Sequence, residues 1–311
     1  MRLTGVVDLP RRIRVLERGW LSSNNILFLD GDQATLVDSG YVAHADQTLA
    51  LVRHALDGRK LVRLVNTHSH SDHIGGNAAL AAAFGCRIAI PEGIAPAVIE
   101  WDEAALLLEP AAQSAARFAH DEVVAPGDEL ELGGLIWRAL AAPGHDMHAL
   151  VFYNPERRIL ISGDALWRDG FGVIFAELMG TAEGLKAARA TLDTLGRLAV
   201  DVVIPGHGAP FDDVEEALRR AYARLAAFEA DGERLARHAV KVLFSFWLLE
   251  RRSIAAAELP DFLSRVSLYR DLNARFFHLP FDALAAWLIR DLERAGALRR
   301  EGDRIVAADA V

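Results

Sequence analysis

Two regimes of hydrophobic patterning divide this 311-residue chain. Up to about residue 211 the apolar positions form short runs bounded by Gly, Pro, Asp and Asn, the spacing of strands buried in a layered sheet. Such runs fall at 12–16, 61–65, 86–90, 126–134, 135–140 and 201–204. Two pairs read as hairpins: 25–29 with 34–37 around Asp30-Gly31, and 149–153 with 158–162 around Asn154-Pro155. Helical spacing intervenes at 44–56, closed by Asp57-Gly58, at 74–84, closed by Gly85, and at about 182–198. A hairpin followed by β-α-β units predicts an α/β layered domain. Segment 91–120 breaks the rhythm. It is alanine-rich, punctuated by Pro91, Pro96 and Pro110, and reads as a helical insertion that either packs as a plain hairpin or walls a pocket.

From Asp212 the pattern changes to long helices at 214–230, 233–250, 255–263 and 281–295. In the last, Leu284, Trp287, Leu288, Leu292 and Ala295 share one face. Gly296 stops it, and 298–306 reads as a two-stranded wing. The expectation is a domain of residues 1–231 followed by a mostly helical, winged-helix-like domain of residues 232–311.

The ends of the strands carry the chemistry. Thr67-His68-Ser69-His70-Ser71-Asp72-His73-Ile74-Gly75-Gly76 puts four potential metal ligands within six residues, directly after the 61–65 run. In extended chain His68 and His70 point the same way and could grip one cation. Asp72 and His73 follow in the turn and point elsewhere, as a second cation beside the first requires. Later strands also end in a glycine-flanked His or Asp: Pro143-Gly144-His145, Gly163-Asp164 and Pro205-Gly206-His207-Gly208. Asp38, at the end of the first hairpin, is either a hydrogen-bond acceptor for a ligating His or the start of a turn.

Bulk numbers narrow the class. Hydrophobic residues make up 52% and charged residues 25%, as in ordinary globular proteins. No apolar run reaches the roughly 18–20 residues of a membrane span, and the first residues lack the apolar core of a secretory signal, so a cytoplasmic location is expected. A net charge of −9 argues against nucleic acid as a partner. The single cysteine, Cys86, excludes a disulfide framework or a thiolate metal cage within the chain.

Taken together, His-x-His-x-Asp-His, Pro-Gly-His, Gly-Asp and Pro-Gly-His-Gly, in that order, resemble the metallo-β-lactamase-fold hydrolases over about residues 12–211. The resemblance implies an αββα sandwich with metals at one edge of two facing sheets. It implies that His68, His70 and His145 hold one divalent ion, that Asp72, His73 and His207 hold another, and that Asp164 bridges them. Asp38 then supports the ligands from behind. Zinc is the expected metal, with iron or manganese compatible with the same donors. A metal-bridging hydroxide would attack a carbonyl, with Asp72 and Asp164 as the catalytic carboxylates.

Within the superfamily the chain resembles hydrolases of the hydroxyacylglutathione type and small hydrolases with a winged-helix-like tail. A basic glutathione-binding pattern is missing from the helical tail. After His145 the family commonly has Thr, whereas this chain has Asp146-Met147-His148. The expected function is hydrolysis of a thioester, ester or lactone of a small acyl substrate. The alternatives are a winged-helix-tailed endoribonuclease or phosphodiesterase, a mononuclear iron sulfur dioxygenase, and a regulatory metal-binding protein. His148, Trp167, Phe171 and Phe175 are candidates for the substrate pocket. Phe244, Phe246 and Trp247 read as helix-packing core, and the apolar tail as a surface for a homodimer.

Overall fold

A computed structural model describes residues 7–308 of the chain. Strand order follows from the runs found in the sequence. β1 (Ile13–Leu16), β2 (Asn25–Asp30), β3 (Gln33–Val37), β4 (Lys60–Val65), β5 (Arg87–Pro91) and β6 (Glu122–Val124) form one sheet in that order. Its first pairs are antiparallel, and it becomes parallel from β3 to β6. The second sheet runs β11-β10-β9-β8-β7, from β7 (Glu129–Leu132), β8 (Leu135–Ala141), β9 (Leu150–Asn154), β10 (Ile159–Gly163) and β11 (Val202–Pro205).

Period-two alternation sorts each strand's side chains between two cores. Ile26, Phe28, Val65, Ala89, Phe152, Ile161 and Ile204 fill the space between the two sheets, around fully buried Trp137. Their neighbours Leu27, Leu29, Leu64, Ile88 and Ile90 point outward beneath α1 (Ala45–Leu56) and α3 (Asn77–Phe84). On the other side Val151, Leu160 and Val203 pack under α6 (Gly184–Leu195) and α7 (Val214–Ala230). The layers are therefore helix, sheet, sheet, helix, the α/β sandwich that the motif order implied.

The outer core continues without a break into the C-terminal region. α8 (Gly232–Arg251), α9 (Leu259–Arg265), α10 (Ser267–Leu272) and α11 (Phe281–Arg294) share it with α7. A small sheet, β12-β14-β13, closes this region, built from β12 (Ser253–Ala255), β13 (Leu298–Glu301) and β14 (Arg304–Ala307). Among the described residues no helix is long and apolar enough to cross a membrane.

Three local expectations change. The helix expected over 74–84 is two helices: α2 (Ser71–Ile74) begins before Ile74 and carries Asp72 and His73, and α3 follows. The junction needs glycine, because a Cβ on Gly75 would stand 2.4 Å from the Val42 amide nitrogen and one on Gly76 2.3 Å from the Ser39 carbonyl oxygen. Insertion 91–120 has only one short α-helix, α4 (Ala95–Glu100); beyond it Trp101, Leu107 and Ala112 adopt positive φ and break helical continuation. Ala255, expected to open a helix, instead ends β12, because pairing with β14 decides its conformation.

His238 of α8 packs against Phe228, and burial, with Arg224 and Lys241 nearby, lowers its imidazole to about 4 from 6.5. Between those values the unfolded chain takes up a proton that the folded chain refuses, so stability falls as pH drops through that window. Replacing His238 with Asn is expected to flatten this part of the stability profile, measured as thermal midpoint against pH; an unchanged slope would refute the assignment.

Candidate metal centre

Strand ends from both sheets converge at one edge of the sandwich. β4 leads into Thr67, His68 and His70, and α2 then presents Asp72 and His73. The second sheet contributes His145 after β8, Asp164 after β10 and His207 after β11. The segment before β2 clamps the two sides together. Ser23 donates its amide to the Asp72 carbonyl at 3.0 Å, and Asn24 donates its side-chain amide to the Pro205 and Gly208 carbonyls at 3.0 and 2.7 Å.

All seven predicted ligands are buried and fall into two groups: His68, His70 and His145, and Asp72, His73, Asp164 and His207. Within each group the donor atoms lie within 4.8 Å of one another. Asp164 reaches both groups, with carboxylate oxygens 3.3 Å from His145 Nε2, 3.4 Å from His73 Nε2 and 3.8 Å from His207 Nε2. Donors about 2.0–2.1 Å from a tetrahedral ion stand roughly 3.3 Å apart, so these separations fit metal ligation. The Nε2 atoms of His68 and His73 are buried and have no hydrogen-bond partner in the protein. A buried, unpaired imidazole nitrogen costs stability unless something coordinates it. Donor chemistry, spacing and orphaned nitrogens agree: the clusters are suited to binding two metal ions.

The electrostatics favour the same outcome. Burial, reinforced by the neighbouring imidazoles, holds His68 well below its ordinary value and His70 at about 4, so both are neutral and able to ligate. Burial alone would raise Asp72 and Asp164. The charges of His73 and His207, with their hydrogen bonds, outweigh it and keep both carboxylates ionised. His73 is opposite: burial would lower it, but Asp72, Asp38 and Asp164 hold it well above 6.5. Three carboxylates around one imidazole demand positive charge, and a divalent cation supplies more of it than a proton.

A ring of hydrogen bonds fixes the candidate ligands. Asp38 adopts φ 58°, a left-handed conformation that Asp tolerates better than most residues. There its carboxylate accepts from the Thr67 amide, the Thr67 hydroxyl and His73 Nδ1, each at 2.8 Å. His145 Nδ1 donates to the Val173 carbonyl at 2.6 Å. Asp146 accepts from the Ser69 amide at 3.2 Å and the Ser69 hydroxyl at 2.7 Å, tying the His68–His70 loop to the His145 loop. The sequence marked Asp146 only as a departure from the family pattern, and this bracing was not foreseen. Two glycines admit the ligands: a Cβ on Gly206 would stand 2.2 Å from Asp164 Oδ1, and one on Gly172 2.4 Å from His145 Nδ1.

A narrow cavity of about 40 Å³, open to solvent at its mouth, lies over the clusters. Trp167 and Phe175 line it, and Trp167 Nε1 donates to Asp164 at 3.2 Å. Two other pocket candidates lie elsewhere. Phe171 is buried in the outer core against Phe228, and His148 is exposed on the surface beside Gly93. Conversely Phe246, read as core, lines the cavity with its ring 6.1 Å from that of His207. Insertion 91–120 supplies part of the wall, and Trp20, given no role from sequence, stacks on His207 at 5.3 Å. An amphipathic helix or an irregular insertion gives no local sign of which apolar residue will face a site.

The fold and the clustered ligands define a metallo-beta-lactamase superfamily protein: the superfamily profile matches residues 18–207, more than half of the chain, and the chain belongs to that family. Among curated relatives it is similar to hydroxyacylglutathione hydrolases. One from Rhodobacter capsulatus is 33% identical over 57% of this chain and 58% of its own length. Another, from Methylococcus capsulatus, is 31% identical over 58% of this chain and 70% of its own. The chain thus spans little more than half of the first relative's length. Two solved structures share the fold at nearly full length. A metallo-beta-lactamase family protein from Thermus thermophilus has a TM-score of 0.60 at 21% identity, covering 96% of this chain and 100% of its own. A beta-lactamase domain protein from Burkholderia ambifaria has a TM-score of 0.59 at 22% identity, covering 98% and 96%.

Gly206→Ala is expected to push the Asp164 carboxylate aside and to cut the metal retained after dialysis, with little change in circular dichroism. Metal bound as in the parent protein would contradict it. Asp38→Ala, which frees His73 Nδ1 and the Thr67 hydroxyl, is expected to weaken metal affinity by about 10–100-fold in a chelator titration.

Proposed function

We propose that this chain is a binuclear metal-dependent hydrolase acting on the carbonyl of a thioester, ester or lactone. The observation that carries the reading is the pair of buried clusters sharing Asp164, in which burial keeps His68 and His70 neutral and the Asp72 and Asp164 carboxylates stay ionised. His68, His70 and His145 would hold one ion, Asp72, His73 and His207 the second, and Asp164 would touch both. Zinc suits this donor set best. When bound, such a pair of ions lowers the pKa of water towards about 7 and polarises a carbonyl oxygen.

The protein's own groups do the rest. Asp72 and Asp164 line the cavity, where Asp72 would accept and release the proton of the attacking water. Asp38 and the Val173 carbonyl take up Nδ1 of His73 and His145, so that Nε2 of each is turned to the clusters, where His145 Nε2 lies 2.7 Å from His70 Nδ1. Trp167 and Phe175 exclude bulk water from one side of the cavity. Cys86 takes no part: it is buried under the outer helices, and burial pushes its thiol up to about 11. The names of the hydroxyacylglutathione hydrolase relatives support a thioester as the first substrate class to try. We read residues 232–311 as a winged-helix-like domain whose first helix completes the cavity.

Protein reconstituted with zinc is expected to cleave members of a panel of acyl-CoA, acylglutathione and lactone substrates and to leave bis-nitrophenyl phosphate intact. Asp164→Ala should abolish that turnover while the fold is retained. Phosphodiester cleavage, a single bound iron with sulfur-oxidising activity, or full activity in the Asp164 variant would each overturn the reading.

A further inference from the structure

The wall of the cavity opposite the ligands comes from outside the sandwich. Leu106, Leu107 and Ala111 of the insertion and Val242, Leu243 and Phe246 of α8 line it together. Phe175 adds its ring edge-on to His70 at 4.9 Å, so apolar surface begins immediately beside the candidate ligands. Among the described residues no Lys or Arg lines the cavity. Apart from the ligand cluster and Trp167, its polar side chains are Ser71 and Gln113, and the Ser71 hydroxyl donates to Gln113 Oε1.

This wall is held in place rather than left to collapse. The Tyr41 hydroxyl donates to Glu250 of α8 at 2.9 Å and accepts the Ser114 amide at 3.1 Å, bolting insertion, sandwich and α8 together. The Leu268 amide donates to the Pro110 carbonyl at 3.2 Å and anchors the insertion to α10. A glutathionyl group carries two carboxylates, and burying them against this wall would leave them unpaired. An apolar body gains free energy at the same place.

We infer that this wall is a subsite for the acyl part of the substrate, and that it selects an apolar acyl group, a medium aliphatic chain or an aryl ring, over a short hydroxylated one. The inference rests on the hydrolase reading. The carbonyl lies at the ligand clusters, the acyl body lies between the insertion and α8, and the leaving thiol or alcohol points to the open mouth. Specificity then resides in two segments that contribute no candidate metal ligand.

The test uses full-length, zinc-loaded protein and CoA thioesters carrying lactoyl, acetyl, butyryl, hexanoyl and benzoyl groups. kcat/KM is expected to rise by about fourfold for each methylene the wall buries. In Phe246→Ala, and in the shape-preserving Val242→Thr, the hexanoyl-to-acetyl ratio of kcat/KM should fall by about tenfold or more, with metal content and thermal midpoint as folding controls. Binding of the free acids is followed in parallel through tryptophan fluorescence, since Trp167 lines the cavity. Hexanoate and benzoate are expected to bind at least tenfold more tightly than lactate, and the variants to lose that order. A flat acyl series with unordered acid binding would overturn the subsite, as would variants that keep the parent's selectivity. Protein that hydrolyses none of the thioesters fails as a hydrolase, and the order of acid binding then decides the subsite alone.

Discussion

Ionised carboxylates kept out of water govern the open edge of this sandwich. Asp72 and Asp164 are buried, with Asp38 beside them, within a few ångströms of five imidazoles, of which His68 and His70 are held neutral. Burial of that much negative charge is costly unless it is neutralised and hydrogen-bonded. The fold meets the second requirement through the Thr67 amide and hydroxyl on Asp38 and the Trp167 indole on Asp164, and the first is one that bound cations are suited to meet. Ligands converge because both sheets end at one edge, and Asn24 and Ser23 lock those ends together. Gly172 and Gly206 remove the Cβ atoms that would otherwise stand where His145 and Asp164 must lie.

How much of this was readable before folding depends on the range over which each feature is determined. His68, His70, Asp72 and His73 are legible because metal chemistry forces donors into a short stretch with fixed spacing. The strands are legible because alternate residues such as Ile26 and Leu27 must serve two different cores. The division of 74–84 into two helices is not legible: it is imposed by the Val42 amide and Ser39 carbonyl, which crowd Gly75 and Gly76 from a distant turn. Ala255 is a strong helix former, and its pairing with Arg304 of β14 makes it extended.

Pocket residues were the hardest to assign. His148 follows a ligand motif and reads as part of the site, yet the hydrogen bond from its amide to Asp146 serves the turn and leaves the ring at the surface. Phe246 lies on an amphipathic helix where any apolar position could be core, and its place in the cavity is set by how α8 crosses the sheet edge. Such contacts depend on tertiary geometry and leave no periodic trace in the chain.

The separation of ligands from wall has a chemical consequence. On the proposed reading, metal ligation would constrain the seven candidate positions far more tightly than the wall. The wall obeys only volume, polarity and anchoring through Tyr41, Glu250 and Gln113. If the proposed hydrolase and subsite hold, a substitution at Leu106 or Phe246 would alter which acyl group is held without touching a candidate ligand. Because α8 shares its core with α7 and the second sheet, the C-terminal region cannot move away without opening that wall. The proposed substrate choice and the stability of the helical region would then be linked through one set of apolar contacts.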